Sequence, residues 1–241
     1  MKNIFYNIFG KINFFILAIK RNKKYHLNKN QIGINLGCEL ETIPEFKGVD
    51  GSYLIFLMQS KIIPSVVKKI IYSKTCSSNH FSFKDYYLKL NKLNIIHYNL
   101  CYGLPFKENS INYIFSSHFF EHLNRKEGIK LFEECYKVLR KEGKIRICVP
   151  DLNIEARKME KDLKIYFKTK DIEILQKYLT INFKNKNYYS FHKRMYNFEE
   201  LKMILLNIGF KEIKKLKLGE GDFPFIKKLD FRKGLIIQAK K

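Results

Sequence analysis

Tryptophan is absent from this chain of 241 residues, and arginine is scarce. None of its five cysteines pairs with another at C-x-x-C spacing. Cys38, Cys76, Cys101, Cys135 and Cys148 lie far apart, several of them in apolar runs. That pattern argues against a disulfide frame and fits reduced thiols in a cytoplasmic protein. A clean apolar run is lacking too. The N-terminal stretch NIFYNIFGKINFFILAIKRNKK is broken by Asn7, Lys11 and Asn13, so it is too polar for a confident spanning helix. Its basic cluster follows the apolar part, whereas a signal peptide carries charge in front. There are no internal repeats and no long low-complexity linker, and residues 151–190 contain no glycine.

Acidic charge is the other shortage. Lys and Arg number 46 against 23 Asp and Glu, a net charge of +23. A balance this basic admits nucleic acid or an anionic membrane surface as partner. Lys, Asn, Ile, Phe and Tyr are abundant throughout, however, which also reads as a compositional bias of the whole chain. The hydrophobic content of 46% excludes a mostly disordered chain. The length suits one well-buried domain with insertions. Residues 1–30 form an amphipathic, basic N-terminal helix unit, and 31–241 a single domain with insertions at 51–93 and 151–196. In the helix, Asn3, Asn7, Gly10 and Lys11 fall on one face, with Ile and Phe on the other. Two roles fit: peripheral contact with anionic lipid through residues 1–25, or packing against the domain or a partner chain.

QIGINLG (31–37), FKGVD (46–50), LNIIHYNL (93–100), SINYIFSSHFF (110–120) and KIRICVP (144–150) read as strands. SVVKKIIYSK and FSFKDYYLKLNKL have helical spacing. RKEGIKLFEECYKVLRKEGK is an amphipathic helix that Gly143 is expected to stop, and NFEELKMILLNIGF a helix with Asn197 as N-cap and Gly209 as its stop. KEIKKLKL and LIIQAK supply two late strands. The order describes an α/β domain with a mainly parallel sheet, whose ligand crevice lies beyond the strands' carboxyl ends.

That rule selects Gly37–Glu39, Asp50–Ser52, Asn99–Leu100 and Ser116–His122. Gly37 allows a tight turn and close backbone approach, although many strands end in glycine. Asp50 can hold a ribose diol, or simply shape an Asp-Gly turn with Gly51. Asn99 offers a donor and an acceptor to an adenine edge, or is a loop asparagine. SSHFFEHL contains H-x-x-E-H, a zinc-protease order in which His118 and His122 bind metal and Glu121 is the base. The motif begins at a strand end, not inside a long helix, so no metal is expected, although Glu133 or Glu134 could complete a set. His118 and His122 in a cleft as acid–base groups, or one of them as a loop-holding histidine, are the competing readings.

NLGC, P-x-F-x-x-V-D-G-S, NLCYGLPFKENSINYIFSSHFFEHL and CYKVLRKEGKIRICVPDL together resemble the class I S-adenosylmethionine-dependent methyltransferases. The likeness is strongest to small bacterial members often linked to cell-surface polysaccharide genes. HKRMYNFEELKMILLNIGFKEI and GEGDFP extend it over residues 32–240. The resemblance implies a Rossmann-like fold: a seven-stranded, mainly parallel sheet with helices on both faces and a reversed last strand. It implies S-adenosyl-L-methionine as cofactor. Gly37 and Cys38 would border its methionine part, Asp50 its ribose, Asn99 and Leu100 its adenine. Ser116, Ser117 and His118 would face the sulfonium, Asp151 the acceptor, and Glu39 and Gly51 belong to the same cofactor set. His118, then His122, are the candidate bases.

Two positions depart from the family. Its first loop reads G-C-G, and here Glu39 follows Gly37-Cys38, placing a charge where backbone should approach the ligand. Asn99 stands where Asp is common. The expected activity is methyl transfer to a small molecule or glycan, such as a surface polysaccharide or its precursor, in the cytoplasm or at its membrane. RNA or protein methylation, or a non-catalytic binding protein of the same fold, are the alternatives.

Overall fold

The computed structural model describes residues 2–73, 75–79, 81–93, 95–171, 174 and 192–241. Much of the 151–196 insertion therefore lies outside the described residues. Seven strands form one sheet: β1 (Gly33–Leu36), β2 (Phe46–Asp50), β3 (Ile95–His97), β4 (Ile111–Ser117), β5 (Leu139–Val149), β6 (Lys211–Leu216) and β7 (Leu235–Lys240). Their spatial order is β3-β2-β1-β4-β5-β7-β6. The first five are mutually parallel, and β7 runs antiparallel to both β5 and β6.

Parallel strands in the middle of such a sheet are covered on both faces and so lose polar alternation. β1, Gly-Ile-Asn-Leu, is buried at every position. β6 shows the opposite. It lies at the edge, and its exposed lysines discourage pairing with another chain.

Helices α1 (Lys2–Ile19), α2 (Tyr53–Gln59), α3 (Ser65–Tyr72), α4 (Phe83–Lys92), α5 (Arg125–Val138), α6 (Leu152–Thr169), α7 (Phe198–Ile208) and α8 (Ile226–Leu229) complete the fold. Their ends follow local chemistry. Asn124 and Glu127 form a reciprocal capping box on α5. Asn197 accepts from the Glu200 N–H at the start of α7, and Gly209, at φ 114°, closes it as expected.

Gly143 does not stop α5. The helix ends at Val138, where Leu139 turns extended to begin β5 opposite Ile111. Gly143 sits in the tight bend that follows: a side chain there would press on the Arg140 carbonyl at 2.8 Å. Leu139 is fully buried at the helix–strand junction.

Alternation along the strands separates two cores. Ile34, Leu36, Ile114, Ile145 and Ile147 face a cluster with Phe132, Cys135, Leu201 and Leu205 from α5 and α7. On the reverse face Ile95 joins Leu54, Ile55, Met58 and Tyr86 of α2 and α4, while Phe46 and Phe115 pack on Phe223 and Leu229. Fully buried among the latter side chains, Arg146 meets Asp230, with Nε to Oδ1 at 3.0 Å. Cys38, Cys135 and Cys148 are buried free thiols, and Cys101 is an exposed one.

Candidate functional site

Strand register lines up the carboxyl ends. Leu36 of β1 pairs with Val49 of β2 and Ser116 of β4, Asp50 pairs with His97 of β3, and Ser117 pairs with Cys148 of β5. The residues after these ends therefore form one row, roughly 19 Å from β3 to β5 at about 4.8 Å per strand. Gly37, Asp50, Asn99, Ser117 and His118 all lie along it.

Gly37 is required on two counts. Its φ of +63° is the left-handed region, and a Cβ there would stand 2.2 Å from the Phe119 ring. Cys38 turns inward, and burial and the Asp50 charge push its thiol well up. Glu39 then takes φ 44°, the conformation a glycine would take. Its N–H donates to Asp50 Oδ2 at 2.8 Å, and its own carboxylate accepts from Ser77 Oγ at 2.8 Å. The charge feared in the loop is thus turned aside toward the 51–93 insertion. Asp50 also accepts from the Ser52 N–H at 2.7 Å. Burial raises its pKa, while those two N–H groups pull the other way.

The other predicted residues have contacts of their own. Asn99 accepts from the Cys101 N–H at 3.0 Å, capping the turn Leu100–Tyr102. Leu100 has its side chain in the main core, so only its backbone can face the cleft. Ser116 is buried and donates to the Leu36 carbonyl at 3.2 Å, tying β4 to β1. Ser117, half-buried, is the last residue of β4. Gly51 leaves room beside the Tyr98 carbonyl, and its own carbonyl accepts from Asn13 of α1 at 2.9 Å. Asp151 caps α6 by accepting from the Asn153 N–H and lies 3.4 Å from Lys215 Nζ.

The H-x-x-E-H segment is not a helix. His118 has φ 52°, its N–H donating to the Cys148 carbonyl at 2.8 Å, and Phe120–His122 make a single 3-10 turn. His118 and His122 therefore do not share a helix face, as the zinc-protease order requires. His118 Nδ1 lies 3.2 Å from Glu121 Oε1, an ion-pair distance off the line of a good hydrogen bond. Glu121 is fully buried, and neither carboxylate oxygen has a hydrogen-bond partner among the described residues. The neighbouring Cys148 and the Glu121 carboxylate lift the His118 pKa to about 9 against the pull of burial.

His192 is the residue that sequence reasoning missed. The Glu121 carbonyl accepts from the Lys193 and Arg194 N–H groups, and this seats His192 with its ring 5.3 Å from that of His122. Ligand atoms of Glu121, His122 and His192 lie within 4.8 Å of one another. The companion of the motif is therefore His192, not Glu133 or Glu134. The fragment HKRMYN was visible, but nothing local to it points 70 residues back along the chain.

A methyltransferase-domain family model matches residues 75–147. That segment holds β3, β4, most of β5, the Asn99 turn and the His118–Glu121 pair. The match covers under a third of the chain, so the likeness to a methyltransferase domain belongs to that segment. No curated protein matches the chain. Among solved structures, an S-adenosylmethionine-dependent methyltransferase from Archaeoglobus fulgidus is 20% identical, covering 99% of this chain and 98% of that one, with a TM-score of 0.45. One from Thermotoga maritima is 14% identical over the whole of both chains, also at 0.45. A phosphoethanolamine N-methyltransferase of Haemonchus contortus is 16% identical, and the match covers 87% of this chain and 39% of that one, with a TM-score of 0.39. This chain thus spans about two fifths of that enzyme's length. No helix among the described residues is long and apolar enough to cross a membrane.

Proposed function

We propose that this methyltransferase domain uses S-adenosyl-L-methionine to methylate a small-molecule or glycan acceptor, such as a surface polysaccharide or its precursor. The observation that carries the reading is Asp50, held by the Glu39 and Ser52 N–H groups one strand away from the Gly37 turn. A carboxylate oxygen has lone pairs left after one such bond, and both Asp50 oxygens can still accept from a ribose diol. Glu39 in a glycine-like conformation leaves the loop's backbone facing the cleft. The residues present therefore fit the cofactor. Asp50 would hold the ribose, the Asn99 amide hydrogens and Leu100 backbone the adenine, and Gly37 and Cys38 the methionine part.

When bound, the cofactor supplies an electrophilic methyl group. The chain must orient the acceptor, exclude water and take its proton. His118 is the base in this reading. Glu121 holds its ring and stabilises the imidazolium that forms, and His122 is the second candidate. Because its pKa is raised to about 9, His118 is protonated at neutral pH, and turnover should climb as pH approaches 9. RNA or protein acceptors remain the alternative that the basic charge favours.

Calorimetric titration with S-adenosylmethionine and with its demethylated product tests the cofactor site. Binding is expected, weakened about tenfold or more in Asp50→Ala, and weaker at acid pH as Asp50 takes up a proton. A folded protein that binds neither compound would end the enzymatic reading, and recovery of binding in Glu39→Gly would assign the loss to that side chain.

A further inference from the structure

Helix α1 is apolar on two opposite faces. One is buried: Leu17 is enclosed, Phe9 packs on the core beneath α2, and Asn13 lies between them at i+4 spacing. The Asn13 amide donates to the Gly51 carbonyl, and its oxygen lies 2.8 Å from His97 Nε2. Lys20 Nζ lies 3.1 Å from the other ring nitrogen of His97, so the ammonium donates to Nδ1 and the ring donates through Nε2. Arg21 gives its carbonyl to the Tyr98 hydroxyl. Every one of these partners stands at or just past the carboxyl end of β2 or β3, so α1 is anchored beside the cofactor row.

Among the described residues, the opposite face has no such cover. Ile12, Phe15 and Ile19, at i, i+3 and i+7, are 44%, 66% and 69% exposed, and Phe14 on the flank is 61% exposed. An ordinary surface helix keeps polar residues there. Charge in the surrounding sequence has one sign. The first acidic residue of the chain is Glu39, and before it come Lys2, Lys11, Lys20, Arg21, Lys23, Lys24 and Lys29. Lys11, Lys23, Lys24 and Lys29 are exposed.

We infer that α1 docks the protein on an anionic lipid surface, seating Ile12, Phe15 and Ile19 among the acyl chains while the lysines meet the headgroups, and so presents the site to a membrane-resident acceptor. Apolar burial plus a basic fringe is the chemistry of an interfacial helix. A second copy of this chain is the poorer occupant, because like charges at the same fringe repel. Bare nucleic acid would use the charge and leave the three apolar side chains in water. The acceptor clause rests on the methyltransferase reading, and the docking itself does not.

The test is co-sedimentation of the full chain with vesicles of phosphatidylcholine alone and with phosphatidylglycerol added. Strong binding to the anionic vesicles is expected. It should fall about tenfold in Phe15→Asp/Ile19→Asp, whose exposed positions spare the fold, and to a smaller extent in Lys23→Gln/Lys24→Gln. Binding that the aspartate variant leaves unchanged would overturn the proposal, because net charge alone would then be the cause. Absence of binding to anionic vesicles would overturn it equally, as would a concentration-dependent dimer lost in the same variant. Cofactor titration of the same preparations separates the two ideas: docking without cofactor binding sinks the enzymatic reading alone.

Discussion

Two fully buried carboxylates on the same sheet have opposite surroundings. Asp230, on the reverse face, is saturated: Arg146 donates to both of its oxygens, and the Gly219 N–H adds a third bond. Arg146 is in turn held by Gln238 Oε1 at 3.3 Å. Glu121, past the end of β4, has one imidazole at 3.2 Å and no well-aligned donor among the described residues. A buried charge is tolerated when it is paired and fully bonded. Asp230 meets that condition and is structural. Glu121 does not, and a carboxylate kept under-bonded beside an imidazole has capacity left to respond when that imidazole gains or loses a proton.

The comparison breaks most visibly at its structural end. Asp230→Ala should leave the Arg146 guanidinium buried and uncompensated and destabilise the fold by about 3–5 kcal/mol in urea unfolding. A loss near zero would mean that water or Gln238 can replace the carboxylate. At the other end the chemistry should move. His118→Asn is expected to lower kcat about 10²–10⁴-fold with cofactor affinity unchanged. Retained turnover would leave His118 as a loop-holding residue.

Glu121→Gln sharpens the contrast further. Without the carboxylate, the rising limb of the pH–rate profile should move down from about 9 toward the ordinary histidine value of 6.5. A limb that stays in place would assign the raised pKa to Cys148 instead, its largest cause.

The smallest effect concerns a third buried group. His97 is pushed down to about 4, chiefly by burial and then by Lys20. Its folded pKa lies below its unfolded value, so the stability it contributes is present above about 6.5 and is lost as pH falls toward 4. The thermal midpoint should drop across that window, and His97→Gln should flatten the drop. An equal drop in the variant would place the acid sensitivity elsewhere.

Strand–turn chemistry made much of the cleft legible. Apolar runs ending at Gly37 and Asp50, and the Asp-Gly step, were enough to place those residues at the carboxyl edge. Ser116 and Leu100 were legible in position but not in side-chain direction. Which way a side chain points at a strand end depends on one residue of register, and in these two it points into the protein. The direction of the Glu39 side chain was hidden for a related reason. Its identity announced a charge, but only the left-handed backbone and Ser77, 38 residues on, decide where that charge goes.

By itself the sequence determined what is local: the buried central strands, the Asn124 and Asn197 caps, the stop at Gly209, and the all-basic run before Glu39. Periodicity and capping act over a few residues, and so a few residues suffice to read them. The tertiary structure alone decided that His192 reaches His122, that Arg146 finds Asp230, and that the second apolar face of α1 stays in the open. Those outcomes depend on backbone bonds and packing between segments up to 84 residues apart, and no local pattern encodes them.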